Sequence, residues 1–132
     1  MSNETDSDRR AVLAVIQAVY TAWEANDADE FVAVYLDDAT VVQPGVFKKN
    51  RQEIRTTMAA GFGGPLKGSR VIDTPQDVRF VNDETAIVVS EGGILFPGET
   101  TCPSDRLVRA TWVVTQRDGH WLVAAYHNSP VN

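Results

Sequence analysis

Apolar residues recur at helical spacing through the first half of the chain and at strand spacing through the second. Val12, Ile16, Val19 and Trp23 fall three and four apart, flanked by Leu13 and Tyr20, and predict a helix over 9–25. Its wide apolar arc suits packing against a sheet. Residues 1–8 read as a frayed polar tail, with Ser7 or Asp8 as N-cap candidates. Asn26-Asp27 breaks the helix, and Asp27 with Glu30 has the spacing of a capping box for a second helix over 28–36. Phe31, Val34 and Tyr35 form its inner stripe, and Asp37-Asp38 ends it. A short strand over 39–43 stops at Pro44-Gly45, and 46–50 reads as a loop or hairpin arm. A third helix over 51–62 puts Ile54 and Met58 on its buried side. The glycines at 61, 63, 64 and 68 make a permissive loop; they lack the lysine-serine pair of a phosphate-binding loop.

Beyond residue 68 the pattern alternates. Strands are predicted over 69–81, 85–96, 105–117 and 120–130. Pro75 marks a bulge or bend, Gly92-Gly93 a kink, and Asp118-Gly119 a tight hairpin. Helices first and strands after predict an α+β domain, a curved antiparallel sheet wrapped on three N-terminal helices. The domain spans 9–130. The strand over 105–117 is apolar on both parities, so the outer sheet face needs cover too. A homodimer through that face is the economical answer.

Composition narrows the function classes. A net charge of −6 over 132 residues argues against nucleic-acid or anionic-membrane partners. The acidic, polar start does not resemble a secretion signal, and no apolar run approaches the roughly 20 residues of a membrane span. Cys102 is the only cysteine, which excludes an intrachain disulfide and suits a reducing cytoplasm. A cytoplasmic domain is therefore expected.

Two stretches carry a resemblance. Trp23-Glu24-Ala25-Asn26-Asp27-Ala28-Asp29-Glu30-Phe31 followed by Tyr35-Leu36-Asp37-Asp38-Ala39-Thr40-Val41 resembles the first helices and strand of the nuclear-transport-factor-two-like, or SnoaL-like, superfamily. The ending from Arg117 to Ser129 is similar to its SgcJ/EcaC-type branch, which accompanies polyketide and enediyne biosynthesis. The resemblance implies a cone-shaped roll with an internal pocket and a frequent dimer. It also implies a polyketide, polyene or enediyne-type ligand, and an association with polyketide synthase enzymes. Where the superfamily commonly has glycine before arginine ahead of the third helix, this chain has Asn50-Arg51. Asparagine is expected to keep the left-handed turn there.

Candidate chemistry centres on the last strand. His127 shares parity with Trp121, Val123 and Ala125, so an inward face would bring the imidazole into the pocket as a proton carrier. A core histidine satisfied by its neighbours is the alternative. Asn128 has the opposite parity and enters only if the strand breaks; capping the strand end is its other role. Arg109 and Thr111 share a face, where Arg109 pairs with Glu91, with a ligand acid or across a dimer. Glu91 is a candidate base or ligand contact. Tyr20, Trp23, Phe31, Tyr35, Met58 and Phe62 are the candidate walls for a flat, conjugated ligand, against the simpler role of core. The sequence has no metal-ligand spacing, dinucleotide fingerprint or Ser-His-Asp pattern. The expected reaction is a cofactor-independent cyclisation, isomerisation or dehydration, with catalytic His127, Asn128 and Arg109. The alternative is a non-catalytic protein that binds or sequesters such an intermediate.

Overall fold

In a computed structural model of the protein, residues 2–132 are described, with side chains from residue 6 onward. Three helices and six strands follow in order: α1 (Ser2–Glu24), α2 (Ala28–Val32), β1 (Tyr35–Gln43), β2 (Val46–Lys48), α3 (Arg51–Phe62), β3 (Arg70–Asn82), β4 (Thr85–Leu95), β5 (Val108–Arg117) and β6 (His120–Pro130). A 3-10 turn, Ser104–Arg106, precedes β5. The strands make one sheet in the order β2-β1-β6-β5-β4-β3. It curls into a half-barrel around the three helices, an α+β roll. Val12, Ile16 and Val19 of α1 and Ile54 and Met58 of α3 meet Val88, Trp112, Val114 and Val123 of the sheet in one core. Among the described residues, no helix is long and apolar enough to cross a membrane.

Local chemistry accounts for most boundaries. Asp27 caps α2 by accepting from the Glu30 N–H at 3.0 Å, one half of the expected capping box. Asn50 caps α3 in the same way, accepting from the Glu53 N–H at 2.9 Å. Its φ of −159° is extended, so the expected left-handed turn is replaced by a cap. Among the described residues the left-handed positions other than glycine are Asn26, at the break after α1, and Asp118, whose positive φ is paired with that of Gly119 in the tight β5–β6 hairpin. Pro75 adjoins the register shift in the β3–β4 ladder. Gly92 and Gly93 do not interrupt that ladder, where they pair with Asp73 and Ile72. A Cβ on Gly92 would overlap the Ile72 carbonyl oxygen and lie 2.9 Å from the Asp73 Cα. Glycine is required there for close approach rather than for a kink.

Three expectations change. Helix α1 begins at Ser2, ahead of both candidate caps, so most of the expected tail is helical; Met1 lies outside the described residues. Helix α2 stops at Val32, and Tyr35 belongs to β1. The Val123 N–H donates to the Val34 carbonyl at 2.7 Å, which draws the chain into the sheet before a second helical turn can form. The sheet is also mixed. β3 to β6 are antiparallel neighbours, whereas β1 runs parallel to β6.

Candidate functional site

One extra residue decides which side chains of β6 enter the half-barrel. Val113 of β5 faces Ala125, but Val114 faces Val123, so Ala124 is left over as a β-bulge. Before the bulge, Trp121 and Val123 point inward and are buried. After it the inward positions are Tyr126 and Asn128, not Ala125 and His127. His127 pairs with Thr111 on one side and Val42 on the other, and its side chain is exposed on the outer face. The expected inward histidine is therefore corrected: unbroken alternation from Trp121 fails at Ala124. Asn128 takes the inner position instead.

Three further candidates share that outer face. Arg109 and Glu91 are register partners, and Arg109 Nη2 lies 2.8 Å from Glu91 Oε2. The pair forms, but outside the half-barrel, so neither Arg109 nor Glu91 reaches a ligand there. Thr111 stands beside them, next to His127. Their parity is opposite to that of Ala110 and Trp112, whose side chains point in.

The inner face and the helices enclose a cavity of about 270 Å³. Tyr20 and Trp23 of α1, Phe31 of α2, Tyr35 of β1 and Met58 of α3 line it. Phe62 packs behind this wall, 5.6 Å from the Trp23 ring and 6.0 Å from the Phe31 ring. Phe31 stacks on Tyr35 at 5.6 Å. Trp112 sits between Tyr20, at 5.9 Å, and Tyr126, at 4.5 Å, in edge-on geometry. Such contacts fix ring planes as well as burying area. The result is a rigid aromatic chamber.

The polar groups inside are few and specific. Asp73, on β3, lines the cavity beside Tyr20 of α1. Burial pushes its carboxyl above the ordinary 3.8, and the facing hydroxyls of Ser90 and Tyr20 partly oppose that rise. The Ser90 hydroxyl faces the carboxylate without a hydrogen bond of standard geometry, and Ser90 Oγ is left unpartnered in full burial. Trp112 Nε1 is a second orphan on the same face. Buried orphans are uncommon and mark groups that a ligand or water would satisfy. Tyr20 is pushed far up, first by burial and then by Asp73. The Asn128 amide donates to the Tyr126 hydroxyl at 2.8 Å, leaving the tyrosine proton free to donate. Tyr126 is pushed up to about 12 by burial, against the Asn128 hydrogen bond. At the rim, Arg106 is held by Glu99 at 2.6 Å and by the Ile94 carbonyl at 3.2 Å, 5.0 Å above the Phe96 ring. Lys48 of β2 also lines the cavity. Among the described residues, no three His, Cys, Asp or Glu side chains gather as a metal centre needs.

The family model of the SnoaL-like domain matches residues 12–132. The chain belongs to the SnoaL-like family. Solved structures share the roll of this SnoaL-like domain. A domain of unknown function with a cystatin-like fold from Nostoc punctiforme superposes with a TM-score of 0.87 at 26% identity, over 96% of this chain and 78% of that one. A putative scytalone dehydratase from Novosphingobium aromaticivorans gives 0.80 at 18% identity, over 97% and 87%. A ketosteroid isomerase-like protein from Erwinia carotovora atroseptica gives 0.74 at 18%, over 93% and 95%. No curated protein matches the chain.

Asp73, Tyr126, Trp112 and Lys48 escaped the sequence reading. Parity on β5 was legible, since Trp112 alternates with Arg109 and Thr111. The others needed knowledge of which edge strands curl inward, or of the bulge. Asp73 gives this SnoaL-like domain a distinctive pH dependence. Its folded pKa is raised, so the folded state holds the proton more tightly than the unfolded state. Stability should fall as pH rises from about the ordinary 3.8 through the raised value, then level off. Thermal melts across this window should show Asp73→Asn without that component; identical slopes in both proteins would remove the burial assigned to Asp73.

Proposed function

We propose that this SnoaL-like domain is a cofactor-independent proton-transfer enzyme of the isomerase, dehydratase or cyclase type. Its substrate is an apolar, conjugated intermediate of the polyketide, polyene or enediyne kind. The observation that carries the reading is Asp73: a carboxyl raised by burial and exposed to an aromatic cavity. A general base works best when its pKa approaches the working pH, and a dry pocket is how a carboxylate gets there. The cavity would hold the ligand between Tyr20, Trp23, Phe31 and Tyr35.

The chemistry follows from the placed groups. The Asp73 carboxylate takes a proton from the carbon next to a ligand carbonyl; the C–H electron pair becomes the new C=C bond, and the carbonyl π pair moves onto oxygen. The enolate oxygen accepts a hydrogen bond from the Tyr126 O–H, since Asn128 occupies the tyrosine oxygen as a donor. The Asn128 amide holds that hydroxyl before charge develops, so little reorganisation accompanies it. Returning the proton to a different carbon completes an isomerisation. Expelling a β-hydroxyl with that proton completes a dehydration. His127 and Arg109, on the outer face, take no part in this reading.

The apolar wall supports a second reading, a protein that binds or sequesters such an intermediate beside a polyketide synthase. One experiment separates the two. With 2-tetralone in D₂O, followed by proton NMR, the enzyme reading expects accelerated exchange of the α protons. Asp73→Asn should lose about 100-fold or more of it, while His127→Ala keeps it. Binding of 2-tetralone without accelerated exchange supports the carrier reading instead.

A homodimer belongs to the same proposal. Val42 and Phe47 are exposed on the outer face, with Phe47 at 63% exposure. Beside them the face runs through Ala125 and Val113 to the Arg109–Glu91 pair. Sedimentation should give a dimer for the wild type and a monomer for Val113→Lys; a wild-type monomer at tens of micromolar (roughly, in the range where interfaces of standard size are populated) contradicts it.

A further inference from the structure

Lys48 lines the cavity and has no part in the proton-transfer chemistry. It belongs to the short edge strand β2, whose pairing with β1 sets Lys48 opposite Val41. Phe47, one residue earlier, points outward, so Lys48 points in, and it is 9% exposed. Its side chain lines the same cavity as Tyr126, Asn128 and Asp73. Among the described residues it joins no salt bridge. The other cation at the cavity, Arg106, already has Glu99, a backbone carbonyl and an aromatic face. A lysine this buried ordinarily has a carboxylate partner. Here the space beside it is the ligand chamber.

We propose that Lys48 anchors a carboxylate of the ligand, so that the cavity selects an aromatic or conjugated carboxylic acid over its neutral counterparts. The inference rests on the reading of the cavity as a ligand site and names the ligand's charged group. A monoanion matches a single unpaired ammonium; a phosphate would leave excess negative charge in an apolar chamber. A carboxylate is also ionised at neutral pH before it enters, unlike a phenol or enol. Burial alone lowers Lys48 below the ordinary 10.5, and an adjacent carboxylate restores the charged form. Lys48 and Asp73 lie on β2 and β3, the two ends of the strand order, and both line the chamber. The carboxylate is thus held from one edge of the sheet, and the reacting carbon meets a base on the other.

The test compares 2-naphthoate with 2-naphthamide, two ligands of nearly one shape, by calorimetry at neutral pH on the full chain. The wild type should prefer naphthoate by about tenfold or more. Lys48→Met and Lys48→Gln, each checked by thermal melt, should lose that preference while keeping naphthamide affinity. Asp73→Asn should keep the preference. Equal wild-type affinities, or a preference that survives in a folded Lys48 variant, overturn the carboxylate anchor and leave the cavity reading standing. Failure of the wild type to bind either ligand overturns both.

Discussion

A single unpaired residue, Ala124, determines what this half-barrel can do. β6 is hydrogen-bonded on both sides, parallel to β1 and antiparallel to β5, so it cannot twist to re-aim individual side chains. A bulge is the device that changes parity without giving up either ladder. It lets one strand serve two purposes. Trp121 and Val123 seal the packed base against the helices, and Tyr126 and Asn128 furnish the open end with a preset hydrogen-bonded pair. Were Ala124 paired in regular alternation instead of bulged, the small Ala125 and the imidazole of His127 would face the chamber, and Tyr126 would face outward. The edge-on packing of Tyr126 against Trp112, which in turn holds Tyr20, depends on that choice.

The second constraint is dryness. The chamber walls are aromatic and aliphatic, so each ionisable group inside is felt strongly. Asp73 and Tyr20 are raised and Lys48 is lowered, all chiefly by burial. Each shift favours the neutral form, as a low-dielectric site demands. Such groups are poised rather than settled, because a ligand's own charges and dipoles can restore what burial removed. The unpartnered Ser90 hydroxyl and Trp112 indole N–H belong to the same economy of unmet polar groups. The exposed charges contrast with this. Arg109 and Glu91 form a good pair on the outer face, where solvent screens them and their contribution to stability is small.

The fold was legible in the sequence because its signals are local. Helix α3 follows from the Ile54–Met58 spacing, and the final hairpin from Asp118-Gly119. The aromatic wall was legible as well, since Tyr20, Trp23 and Phe31 can face only the sheet from an amphipathic α1 and a capped α2. The polar site was not. Its parity hinges on Ala124, a residue with no turn or bulge signature, and regular alternation chose His127. Tyr35 misled for a related reason: its spacing from Phe31 fits a helix, and only the parallel bond to β6 makes it a strand residue. Asp73 and Lys48 carry no local signal, because their inward aim comes from long-range strand pairing at the two sheet edges.

The central claim is that β6 turns Tyr126 and Asn128 into a ligand chamber and His127 away from it. The most direct measurement is a ¹⁵N NMR titration of the protein with 2-tetralone, following three side chains. The account predicts that the Asn128 amide and the Trp112 indole N–H move with saturating occupancy while the His127 ring stays put. A response of the His127 ring with a silent Asn128 and Trp112 would contradict it.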